Sequence, residues 1–134
     1  MAASLSRVIG FRALHRFFRP DWSEARNREA FGPLSEAPGH AHDYQCVVTV
    51  SGPLEATRGM VMDLAVLDRV LQEEVVDRFD GRHLNLDLPE FAYGRTLPTC
   101  EAIAAYVQAR ARPLPGRRSP RAASAAAEGK AGKR

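Results

Sequence analysis

Only two stretches of this 134-residue chain read as β-strands, and two strands cannot make a stable sheet by themselves. The first lies within residues 5–17 and centres on Arg7-Val-Ile-Gly-Phe-Arg-Ala-Leu-His15. The second, within 41–51, holds the β-branched run Gln45-Cys-Val-Val-Thr-Val50 and ends at Gly52-Pro53. Between them, residues 19–38 form a long connection with Pro20, Gly32, Pro33 and Pro38, in which Ser23–Glu29 has room for a helical turn or two. Leu64, Leu67, Val70, Leu71, Val75 and Phe79 then recur at helical spacing behind a possible Asp63 N-cap, which predicts a helix over 64–77 with a buried apolar stripe. Residues 80–89 read as a loop. Thr99 caps a second helix that buries Ile103, Tyr106 and Val107. No further strand is expected after residue 111. The class is α+β, and the chain either borrows strands from neighbours or lacks strands that should follow.

The overall charge of +3 hides a division. Residues 1–109 hold 11 Lys/Arg and 15 Asp/Glu, a net of −4, while residues 110–134 hold eight Lys/Arg and one Glu, a net of +7. Residues 1–111 therefore read as one mildly acidic domain. Residues 112–134 read as a basic Ala/Arg/Pro-rich tail without fixed structure. This is not the footprint of a folded nucleic-acid-binding domain, so no specific nucleic acid partner is expected. No apolar run is long enough to span a membrane, and the first residues have no secretory pattern. Cys46 and Cys100 form no spaced framework, which points to reduced thiols and a cytoplasmic protein.

The chemistry concentrates in histidine. His40 and His42 lie two apart in Gly39-His-Ala-His-Asp-Tyr44, at the start of the second strand, so they share a face. His15 ends the first strand and can add a third imidazole. Three nitrogens and an open position suit a catalytic Zn²⁺; the alternative is half-buried strand histidines bonded to their neighbours. Asp80 precedes Gly81 and reads either as a turn former or as a catalytic carboxylate. His83 is either a proton carrier beside Asp80 or a packed loop residue. Cys46 shares the strand face of His40 and His42 but reads as a buried structural thiol. Cys100 sits at a helix start, where a thiolate is favoured, and reads as lining a substrate site in preference to acting as a nucleophile. Glu101 can accept two parallel N–H bonds from a ligand or simply stabilise the helix dipole.

Taken together, Phe11-Arg-Ala-Leu-His15, Asn27-Arg-Glu-Ala-Phe-Gly32, Gly39-His-Ala-His-Asp-Tyr44, Gly59-Met-Val-Met-Asp-Leu64, Asp80-Gly-Arg-His-Leu-Asn85 and Pro98-Thr-Cys-Glu101 occur in an order and at distances that resemble the 6-pyruvoyl-tetrahydropterin synthase / 6-carboxytetrahydropterin synthase family. The resemblance covers residues 8–110. It implies the tunnelling fold of two strands, two helices and two strands, with sheet edges joined between subunits into a trimer and then a hexamer. It implies a Zn²⁺ held by His15, His40 and His42. It also implies a lyase acting on dihydroneopterin triphosphate in tetrahydrobiopterin or queuosine-type biosynthesis, with Thr99, Cys100 and Glu101 against the pterin and Asp80 moving protons.

The sequence departs from that pattern at chemically important places. The family's base is usually a cysteine in Phe-Gly-x-Cys, and here Phe31-Gly-Pro-Leu34 ends in leucine. The usual His after Asp is Gly81, which leaves His83 as the remaining imidazole. The glutamate expected on a final strand has no visible equivalent, and the tail stands where the usual last two strands are expected. A catalytically impaired zinc- and pterin-binding homologue, or a truncated fragment, is the alternative to an active lyase.

Overall fold

Two fourteen-residue strands, β1 (Ala2–His15) and β2 (His40–Pro53), pair antiparallel along their whole length, from Ala2 opposite Pro53 to His15 opposite His40. The computed structural model describes residues 2–112 and 122–131. Both strands alternate cleanly. Phe11, Ala13 and His15 of β1, and Tyr44, Cys46, Val48 and Val50 of β2, are buried on one face, while Val8 and Val47 lie on the other. Directly paired residues share a face, so the register alone puts His15, His40 and His42 on the core side.

Helices cover that face. α1 (Glu24–Phe31) lies in the long connection and is strongly polar. It is held by its ends and by one buried side chain. Ser23 accepts a bond from the Arg26 amide, and Asn27 accepts from the Arg19 amide while donating to the Arg19 and Ser23 carbonyls. The predicted central helix forms as α2 (Leu64–Leu71), a π turn (Gln72–Val76) and α3 (Asp77–Phe79), with Asp63 accepting from the Ala65 amide as the N-cap. Leu67, Leu71, Val75 and Phe79 are fully buried, whereas Leu64, expected in the core stripe, is 37% exposed in the first turn. A strict spacing of four drifts by roughly 40° per step on an ideal helix. The wider π turn takes up that drift and keeps Val75 and Phe79 inward.

Residues 80–89, expected as a loop, contain the short α4 (Leu84–Asp87) and a 3₁₀ turn at Pro89–Phe91. This segment also works as a substitute strand along the outer edge of β1. The Arg12 amide donates to the Asp80 carboxylate, the Gly81 amide to the Arg12 carbonyl, the Leu14 amide to the Arg82 carbonyl, and the Arg16 amide to the Asn85 side chain. These bonds satisfy β1 from residue 12 onward. Helix α5 (Cys100–Ala111) is capped by Thr99, whose hydroxyl accepts from the Ala102 amide, and buries Ile103, Val107 and Ala111. Tyr106 joins the Phe79 and Phe91 rings in an aromatic cluster that reaches Phe11 and Tyr44.

One expectation is overturned. A third strand, β3 (Ala122–Ala131), pairs antiparallel with β2, giving the sheet order β1-β2-β3. Sequence reading misses it because alanine, serine and glycine have low strand propensity and show no apolar alternation. The open edge of β2 supplies the backbone partners that the composition does not advertise. The rest of the expected tail, residues 113–121 and 132–134, lies outside the described residues.

Gly39 is where β2 begins against the end of β1. It has φ of +122°, and a Cβ there would stand 2.5 Å from the His15 carbonyl oxygen. Gly39→Ala therefore carries both backbone strain and a backbone clash, and urea denaturation should show a loss of about 2 kcal/mol or more. Gly59→Ala, at φ +67° with open space around it, should cost less. Equal losses at the two positions would show that the His15 contact does not matter.

Candidate active site

The end of the β1–β2 ladder gathers the histidines. The His15 and His42 rings lie 4.4 Å apart between centroids, with Phe17 at 4.6 Å from His15 and Tyr44 at 5.9 Å from His42. His15 is 4% exposed, and its Nδ1 is buried without a hydrogen-bond partner. Burial pushes its pKa down to about 4, helped by the nearby imidazoles of His42, His40 and His83. All four histidines of the chain thus act on one place. His83, a loop residue in sequence, is brought there by the strand-like pairing of its segment with Leu14.

Two of the histidines also hold the loop that precedes β2. His40 Nε2 donates to the Pro33 carbonyl at 2.5 Å, and His83 Nε2 donates to the Pro38 carbonyl at 2.6 Å. These bonds set Leu34 over a cavity of about 180 Å³ lined by His15, Phe17, Leu34, His42, Tyr44, Pro98 and Cys100. Tyr44 was not singled out from sequence, although its parity with His40 and His42 was a usable signal. Its phenol is pushed well above its ordinary range, chiefly by burial.

The remaining expected site residues fall in different places. Cys100 reaches the cavity. Thr99 uses its hydroxyl as the α5 cap. Glu101 is exposed in the first turn of α5 and is not part of the cavity wall. Asp80 accepts from the Arg12 amide and makes no hydrogen bond to His83, so the two are not joined as a relay. Gly81, where the resemblance would place histidine, has φ of +72°, a conformation that disfavours any side chain. Cys46 is fully buried, and burial pushes its thiol up to about 11, in keeping with a structural role. Among the described residues, no three His, Cys, Asp or Glu side chains are arranged to hold a metal ion.

Comparison with known proteins fits this architecture. The 6-pyruvoyl tetrahydropterin synthase family profile matches residues 4–127, reaching into β3. A 6-pyruvoyl tetrahydrobiopterin synthase of Pongo abelii is 38% identical over 105 residues, covering 78% of this chain and 71% of the relative. The Homo sapiens protein of that name is 37% identical with the same coverage. The structure of Caenorhabditis elegans 6-pyruvoyl tetrahydropterin synthase superposes with a TM-score of 0.77 at 33% identity, covering 85% of this chain and 79% of that one. The chain belongs to the 6-pyruvoyl tetrahydropterin synthase family, and its fold is the tunnelling fold. No helix among the described residues is long and apolar enough to cross a membrane.

The low pKa of His15 has a definite sign. The native state holds His15 neutral down to about pH 4, whereas the unfolded chain protonates it near 6.5. The unfolded state therefore binds more protons in this window, and the metal-free protein loses stability as pH falls from 6.5 toward 4. The full effect is on the order of 3 kcal/mol. Urea midpoints at pH 7 and pH 4.5 should diverge more for the unsubstituted protein than for His15→Gln. Identical divergence would refute the assignment to His15.

Proposed function

We propose that this chain is a zinc-dependent lyase acting on dihydroneopterin triphosphate, releasing triphosphate and giving a 6-pyruvoyl- or 6-carboxy-tetrahydropterin product. The observation that carries the reading is the close His15–His42 pair on the wall of a cavity shared with Leu34, Tyr44 and Cys100. His15, His40 and His42 are the ligands proposed for zinc. The donor type fits, because His15 offers a buried Nδ1 with no hydrogen-bond partner and stays neutral at physiological pH, the form that binds metal. His40 Nε2 donates to the Pro33 carbonyl, so His40 would ligate through Nδ1 while that bond stands. Bound zinc would polarise the oxygens of the substrate side chain as a Lewis acid.

The chain's own residues have separable roles. Cys100 on the cavity wall, with its neighbours Thr99 and Glu101 at the start of α5, is proposed to meet the pterin. The exposed Glu101 carboxylate can accept from its amino-pyrimidine edge. His83 is proposed to carry protons near the imidazole cluster, with Asp80 acting through the backbone of β1 that it holds. The cavity is smaller than the roughly 300–1,000 Å³ usual for small-molecule sites. Residues 2–10 of β1 meet no further strand on their outer edge among the described residues. A second copy added at that edge would complete the sheet, which supports a homotrimer or homohexamer. The free thiols of Cys46 and Cys100 fit a cytoplasmic protein. Neither a nucleic acid nor a membrane is among the proposed partners.

A second reading is favoured by one observation: Leu34, which cannot carry a proton, stands on the cavity wall. It makes the chain a catalytically impaired zinc and pterin binder. Native mass spectrometry after zinc loading, followed by an assay of triphosphate release, separates the two. One zinc per subunit in a trimer or hexamer, with triphosphate released, is the expected result. His15→Ala should then lower zinc affinity at least about tenfold. Zinc and pterin uptake without release would favour the impaired binder. A zinc-free monomer would sink both readings.

A further inference from the structure

The cavity wall carries one thiol, that of Cys100. Cys100 is the first residue of the twelve-residue α5, whose cap is made by Thr99. The thiol therefore stands both at the first turn of α5 and on the cavity wall, beside His15 and Leu34. The chain's other thiol, Cys46, is sealed in the core on β2. The same cavity takes His15, whose Nδ1 is buried without a partner at 4% residue exposure. A polar atom desolvated in this way calls for a ligand. The loop side of the cavity presents Leu34, which has no proton to give or take.

We propose that Cys100 is a further proton-carrying residue, standing on the cavity wall where His83 does not reach, and that it acts on the side chain of a substrate bound against His15 and His42. The inference rests on the lyase reading above. The thiolate removes a proton from a side-chain carbon next to the carbon that bears the leaving oxygen. The C–H electron pair becomes the new C=C bond as the C–O bond breaks, and the negative charge leaves with triphosphate. The thiol so formed returns its proton to carbon when the enol becomes a ketone, which regenerates the thiolate after the enol O–H proton passes to solvent. No oxidant or reductant is needed. This assigns a thiol from the start of α5 to the work that Leu34 cannot do.

The test uses the full-length, zinc-loaded chain with two kinds of readout. Iodoacetamide should label Cys100, leave the buried Cys46 unlabelled, and be slowed at Cys100 by bound dihydroneopterin, which lacks the triphosphate. Cys100→Ala and Cys100→Ser should lower triphosphate release by about 100-fold or more, the usual scale for a lost general base, and by far more than they weaken dihydroneopterin binding. Leu34→Cys added to Cys100→Ala should restore part of the rate by returning a thiol to the cavity, which also answers any concern that the single variants are misfolded. Release that survives in Cys100→Ala, or labelling of Cys100 that bound dihydroneopterin does not slow, would overturn the proposal and leave the lyase reading standing. Absence of release by the unsubstituted chain would overturn both.

Discussion

The register of the β1–β2 ladder is the constraint on which the rest of the structure depends. Side chains alternate along a strand, so one residue of slip would turn every inward residue outward. Phe11, Ala13, Tyr44, Cys46, Val48 and Val50 all need the inward face, and the core sets their register firmly. His15 and His42 have the same parity as these residues. The free energy of burying the core therefore also fixes the imidazole pair. Neither can move to the solvent face without exposing the aromatic cluster beneath α3 and α5.

Several residues around the cavity hold its structure by hydrogen bonds. Asp80, Gly81 and Asn85 complete the backbone bonding of β1 just where it delivers His15. His40 and His83 grip the carbonyls of the loop that carries Leu34. The cavity is thus closed by polar bonds from the histidines and by apolar packing from Phe17, Leu34 and Pro98. Changing His40 or His83 would loosen this wall whatever else it does, so stability has to be measured beside activity.

Burial and mutual repulsion keep His15 neutral, and a neutral imidazole is the form that ligates a metal. The cost is a buried nitrogen without a partner, a feature that stable cores avoid. Such a group is retained more readily where a ligand relieves it. The surrounding phenyl and phenol rings lower the local polarity and would strengthen any charge interaction made there.

Much of this protein was legible in the sequence. The strand runs read within 5–17 and 41–51, the Asp63 and Thr99 caps and the 64–79 stripe marked the main strands and helices, because each is a local pattern with a local physical cause. The shared face of His40 and His42 followed from strand parity, and the family followed from motifs in order. Tertiary structure decided what depends on partners distant in the chain. Residues 122–131 became a strand only because β2 offered an open edge, and nothing in their composition required it. Residues 80–85 acquired their role by bonding to β1, which brought His83 to the other histidines and turned the Asp80 carboxylate to the Arg12 amide. Cys100 and Leu34, 66 positions apart, meet at one cavity because the sheet and α5 pack against each other. Local sequence sets the periodicity of an element, but its contacts are chosen by burial over the whole fold.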